Sequence, residues 1–88
     1  MKTVFKNQFT KQLERLRNQK LKADVLNIIL IVEQCISLNE IQNLKKLKGY
    51  KNFYRIRTGD YRIGIKIEKD IVTFAAFDHR KDIYKYFP

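Results

Sequence analysis

The chain has 88 residues, and its Lys and Arg outnumber Asp and Glu by 19 to 9, for a net charge of +10. Its length suits one small domain spanning residues 1–88, and hydrophobic and aromatic fractions of 44% and 12% exclude a disordered basic tail. The single cysteine, Cys35, excludes a disulfide framework and a cysteine-rich zinc site, while charge this dense points to a polyanionic partner, nucleic acid ahead of a membrane surface.

The start, Met1-Lys2-Thr3-Val4-Phe5-Lys6, has no apolar run of the kind a signal peptide carries. The longest apolar stretch, Val25 to Val32, is interrupted by Asn27 and falls far short of the ~20 residues that span a bilayer. A soluble cytoplasmic protein, with no membrane partner, is the expectation. Residues 2–6 suit a short first strand. From Asn7, a reasonable N-cap, the apolar residues Phe9, Leu13 and Leu16 recur at helical spacing. Asn18-Gln19-Lys20 reads as a short connection. A second helix follows from Leu21 to Ser37, with Val25, Ile28, Ile29, Val32 and Ile36 as its stripe. Leu26, Leu30 and Ile31 widen that stripe, which predicts a helix covered by a sheet beneath and the first helix alongside. Cys35 lies in this apolar segment as a small buried hydrophobe. Residues 41–48 read as a surface connection bearing lysines.

The most informative stretch is residues 48–67. Apolar and polar residues alternate on both sides of Thr58-Gly59-Asp60, which predicts two strands and a tight turn. A two-residue Gly59-Asp60 loop of type II′ pairs Thr58 with Tyr61. It then sets Ile56 opposite Ile63 and Tyr54 opposite Ile65 on one face. Arg57 falls opposite Arg62, Arg55 opposite Gly64 and Phe53 opposite Lys66 on the other. A slip by one residue would exchange the faces, so burial selects this register. Like charges directly across a strand pair destabilise it, so the three arginines make either a face awaiting an anion or an ordinary solvated sheet face. A second turn at Lys69-Asp70 leads into a strand over residues 71–77. Its alternation predicts Val72, Phe74 and Ala76 on the apolar face, with Thr73, Ala75 and Phe77 on the arginine face. Continued by two residues, the same parity places His79 there. Residues 80–88 suit one or two helical turns, on which Arg80 and Tyr84 point the same way.

These side chains hold no metal cluster and no phosphate or dinucleotide fingerprint, and no cofactor is expected. Arginine forks bind phosphate and stabilise charge growing on its oxygens. His79 is the one side chain with an ordinary pKa near neutrality, which makes it either the proton-transfer group or a polar rim residue. Tyr84 can stack on a base, donate to phosphate, or pack. Phe53 and Phe77 are either platforms for bases or packing for the C-terminal turn. Lys45, Lys46, Lys48 and Lys51 are solvated charges that steer a polyanion. The set suits RNA cleavage in which the substrate's 2′-hydroxyl is the nucleophile.

Three motifs then carry a family resemblance: Leu47-Lys48-Gly49 with Phe53-Tyr54-Arg55-Ile56-Arg57, next Gly59-Asp60-Tyr61-Arg62, and finally His79-Arg80-Lys81-Asp82-Ile83-Tyr84. In this order and spacing they resemble the RelE/ParE superfamily of toxins from type II toxin–antitoxin modules. The resemblance implies an α+β, microbial RNase-like fold: a short N-terminal strand, two helices packed on an antiparallel sheet and a C-terminal helical turn. It also implies ribosome-dependent cleavage of mRNA in the A site, and an antitoxin that covers the basic surface. By position, Arg55 and Arg57 match the family's two basic strand residues, Arg62 its phosphate-binding arginine, Arg80 its transition-state arginine and Tyr84 its terminal tyrosine. Two departures stand out. The best-known RelE members carry lysines where this chain has Arg55 and Arg57, and the spacing from Arg80 to Tyr84 is shorter. A ParE-like inhibitor of DNA gyrase and a non-catalytic basic module bound to an antitoxin are the alternatives.

Overall fold

In the computed structural model, which describes residues 1–88, two helices cover one face of a five-stranded sheet. The strands are β1 (Lys2–Phe5), β2 (Leu44–Lys46), β3 (Phe53–Thr58), β4 (Tyr61–Glu68) and β5 (Ile71–His79). The helices are α1 (Asn7–Arg15) and α2 (Gln19–Gln34). Sheet order is β1-β5-β4-β3-β2. The α+β class is as expected, but the sheet is mixed, because β1 runs parallel to β5. No helix is long and apolar enough to cross a membrane.

Helical spacing places Phe9 of α1 and Val25, Ile29 and Val32 of α2 against Ile56, Ile63, Ile65, Val72 and Phe74 of the sheet, all of them buried. Each such side chain contributes roughly 1.5–3 kcal/mol relative to exposure. Several helix boundaries differ from expectation. Lys6, not Asn7, precedes α1, and no side chain caps that end. α2 begins earlier because Asn18 is itself the cap, accepting a hydrogen bond from the Leu21 N–H at 3.0 Å. It stops at Gln34, and Ser37 instead opens a 3-10 turn (Leu38–Glu40) through a capping box with Glu40. Leu26, Leu30 and Ile31 are exposed rather than covered by α1.

The β3–β4 hairpin has the predicted register, residue for residue, from Phe53 opposite Lys66 to Thr58 opposite Tyr61. Gly59 takes φ +60, the left-handed geometry that the first position of a II′ turn requires. The Lys69-Asp70 turn also holds, with Glu68 opposite Ile71. Beyond it the parity breaks. Phe74 pairs with Ile65 and Ala76 with Gly64, so Ala75 is an extra residue with no partner across β4. Such a bulge reverses every later side chain. Ala76 and Asp78 therefore join the arginine face, opposite Gly64 and Arg62. Phe77 and His79 move to the helix face, opposite Ile63 and Tyr61. The expectation that Phe77 and His79 share a face with Arg57 and Arg62 is corrected by this one residue.

Residues 44–46, expected as a surface connection, form the edge strand β2, which pairs antiparallel to β3. Lys45 lies opposite Arg55. A second 3-10 turn (Ile83–Lys85) follows β5, and from there the chain crosses the arginine face. Its Ile83 and Phe87 pack with Ala75 and Ala76 in a small separate core, which Leu47 and Phe53 border.

Candidate functional site

The C-terminal segment leaves only part of the arginine face open. Where it lies, Phe87 sits so close to Gly64 that a Cβ there would stand 2.6 Å from the ring. Phe53 is occupied too: its ring meets Phe87 and Tyr50 edge-on at 5.8 and 6.3 Å, and Lys66 Nζ lies 5.6 Å from its centroid. Phe77 is buried and stacked on Tyr61 at 5.1 Å. Neither ring is a free platform for a base.

The open part is a cleft of about 720 Å³ lined by Lys45, Lys46, Leu47, Lys48, Arg55, Arg62, Arg80, Lys81 and Tyr84. Seven of those nine side chains are cationic and none is acidic. A neighbouring hollow of about 620 Å³ shares Arg62 and Arg80 and adds Arg57, Asn43 and one carboxylate, Asp60. Thus Arg55, Arg57, Arg62, Arg80, Tyr84 and three of the four lysines come together; Lys51 lies outside, along the turn beyond β2.

Local structure explains the placement. Arg62 is held by its own turn: Nη1 donates to the Gly59 and Tyr61 carbonyls, both at 3.0 Å. Arg55 Nη1 donates to the carbonyl of Asn43 at 2.8 Å, and Asn43 adopts φ 63 to enter β2. Arg80 belongs to the turn after β5, pinned by its N–H to the Asp60 carbonyl at 2.8 Å. Its side chain stands 4.0 Å from the Asp60 carboxylate across exposed surface, a pair of little energetic consequence. No carboxylate forms an ion pair with Arg55, Arg57, Arg62 or the cleft lysines. Clustered cations without internal counter-ions raise a strong local potential and favour an anionic ligand. No group of three or more His, Cys, Asp or Glu side chains is placed to hold a metal ion.

His79 is displaced from this chemistry. Its ring meets Tyr61 edge-on at 5.6 Å, and Nδ1 accepts a hydrogen bond from the Lys81 N–H at 3.2 Å. It shapes the turn that carries Arg80 and does not face the cleft. Residues not singled out in the sequence do part of the work. Tyr86 donates its hydroxyl proton to Asp78 Oδ2 at 2.9 Å and accepts from Gln12 Nε2. Gln12 Oε1 in turn accepts from the Phe77 N–H at 2.8 Å. This clasp ties the C-terminal segment to α1 and β5, and so holds Tyr84 over the cleft. Partial burial, the leading cause, raises the Tyr86 pKa, and the Asp78 carboxylate adds to it against the bond from Gln12.

A raised pKa means that the folded state keeps the Tyr86 proton longer than the unfolded chain does. Its contribution is therefore intact below the ordinary tyrosine pKa of ~10 and is lost as pH climbs above it. Tyr86→Phe is expected to flatten this alkaline loss of stability in denaturant titrations at several pH values. At neutral pH the substitution should cost only about 0.5–1.5 kcal/mol.

A helix-backed mixed sheet of this kind is the fold of the RelE toxins of known structure. The sequence profile described as the ParE toxin of type II toxin–antitoxin systems, parDE, matches residues 3–84. The chain is 44% identical, over a 92-residue alignment spanning all of both chains, to Toxin RelE3 of Methanocaldococcus jannaschii. Its fold superposes with a TM-score of 0.82 on the toxin of the RelB–RelE antitoxin–toxin complex from Methanococcus jannaschii, at 40% identity and covering 97% of this chain and 99% of that one. It also matches the archaeal RelE–RelB complex from Pyrococcus horikoshii OT3, with a TM-score of 0.74, 22% identity and coverage of 92% and 96%. The chain belongs to the RelE/ParE superfamily and is a toxin of a type II toxin–antitoxin system.

Proposed function

We propose that this toxin is an endoribonuclease that cuts mRNA in the ribosomal A site and so arrests translation. The observation that carries the reading is the cleft itself, with seven cations and one tyrosine and no carboxylate among its lining residues. Such a site complements the charge that builds on a phosphate when the adjoining 2′-hydroxyl attacks it. Arg62 and Arg55 hold the phosphate oxygens, Arg57 extends the cationic strip, and Arg80 meets the transition state from the turn above. Tyr84, half-exposed at the rim, donates to the departing oxygen. Lys46, Lys48 and Lys81 guide the strand and anchor the toxin to ribosomal RNA, where each phosphate contact adds to a salt-sensitive affinity.

The ribosome's part is orientation. A cleft this open does not fix the in-line geometry of a flexible strand, whereas a codon held in the A site is presented already ordered. The partner that silences the toxin is an antitoxin of the RelB type, since the similar toxins of known structure are found as RelB–RelE complexes. An acidic segment laid in the cleft would neutralise it.

The test is cleavage of a defined mRNA by purified toxin, with and without ribosomes stalled at a known codon. Cutting within the A-site codon on the ribosome, and little on free mRNA, is the expected result. Intact mRNA in both samples would reject endonuclease activity, and inhibition of gyrase by the same preparation would then assign the toxin to the other branch of its superfamily.

A further inference from the structure

Attack by a 2′-hydroxyl requires that one proton leave it and another reach the 5′-oxygen. Arginine keeps its proton throughout the working pH range and cannot accept one. His79 lies on the helix face, opposite Tyr61. Of the residues lining the cleft, only Tyr84 and the lysines at 45, 46, 48 and 81 can exchange a proton.

Register separates those lysines. Lys45 pairs with Arg55, and Arg55 with Gly64, so Lys45 stands on the arginine face in one row with Arg55. Lys46 pairs with Tyr54 and takes the opposite parity. Lys48 lies beyond the end of β2, and Lys81 lies in the turn after β5. Lys45 alone is held by a strand on the face where Arg55 and Arg62 would receive a phosphate, and sites on regular elements are the more firmly oriented.

We propose that Lys45 is the general base of this reaction, an assignment that rests on the endoribonuclease reading. Its neutral Nζ takes the proton from the 2′-hydroxyl as the bond from O2′ to phosphorus forms. The bond from phosphorus to O5′ breaks, its electron pair stays on O5′, and that oxygen takes the proton of the Tyr84 hydroxyl. The products are a 2′,3′-cyclic phosphate and a 5′-hydroxyl. The ammonium and tyrosinate left behind exchange protons through water, so none is consumed.

The experiment is single-turnover cleavage on stalled ribosomes by the wild type, Lys45→Ala and Lys45→Arg between about pH 6 and 9. Lys45 is exposed, and both variants are expected to fold. Both should be slower by about 10²–10⁴-fold, to a similar degree, and both should lose the rise of rate with pH that the wild type shows. A substrate with sulfur in place of the scissile 5′-oxygen, whose leaving group needs no proton, should restore Tyr84→Phe but not Lys45→Ala. Lys45→Arg within about threefold of the wild type would reduce Lys45 to a positive charge and overturn the assignment. Rescue of Lys45→Ala by the sulfur substrate would overturn it as well, by making Lys45 the acid. A wild type that cuts no mRNA would remove the endoribonuclease reading and this assignment together, an outcome distinct from the other two.

Discussion

Arg62→Ala is expected to slow mRNA cleavage by about 10²–10³-fold, the usual effect of deleting one donor aimed at developing charge. Two carbonyl bonds from a single nitrogen fix the Arg62 guanidinium, leaving Nε and Nη2 for a phosphate in fork geometry. The same substitution should not harm the fold. Arg62 faces Arg57 directly across the hairpin, and removal of one of two opposed like charges relieves a repulsion of some tenths of a kcal/mol. Relief of that repulsion offsets part of the two carbonyl bonds given up, so lost activity with a nearly unchanged melting temperature is the signature of a residue kept for its ligand. Parallel kinetics and thermal unfolding read it out. A variant that loses both together would make Arg62 a structural residue. Arg62→Lys should fall between, since it keeps the charge and loses the fork.

Gly64→Ala should act from beneath the site. The added methyl would lie 2.6–2.7 Å from three atoms of the Phe87 ring, and Phe87 is itself only 5% exposed. Overpacking of this kind costs about 1–3 kcal/mol, equivalent to several degrees of melting temperature, at about 4–8 °C per kcal/mol for a domain this small. The cheapest escape is for the C-terminal segment to lift from the sheet, which would carry Tyr84 away from the cleft. Limited proteolysis should then release the C-terminal residues earlier, and cleavage of mRNA should fall. In a Phe87→Ala background the same Gly64→Ala change should cost far less, because the two side chains compete for one space. An equal cost in both backgrounds would show that the glycine is kept for some other reason.

How far the sequence reaches is clearest in β3 and β4. Period-two alternation on both strands, plus a glycine at the turn, determines the face of every residue from 53 to 67, and the alternation by itself brings Arg55, Arg57 and Arg62 to one side. The same logic fails within β5 for a local reason. Ala75 and Ala76 are small, neutral and adjacent, so nothing in the pattern marks one of them as a bulge, and the uncorrected parity carries Phe77 and His79 to the wrong face. β2 escapes notice because Leu44-Lys45-Lys46 is too short to display a period; its existence depends on Asn43 turning through a positive φ to meet β3. The parallel pairing of β1 with β5 joins residues some seventy positions apart and leaves no local trace. One signal was available and silent: a glycine in mid-strand often marks the close approach of another segment, and Gly64 is where Phe87 arrives.

Mapping the 5′ ends of cellular mRNA after brief induction of the toxin, beside Arg62→Ala, tests the central claim most directly. New ends locked to codon position in translated messages, absent from the variant, are the predicted result. Growth arrest with messages left intact would contradict it.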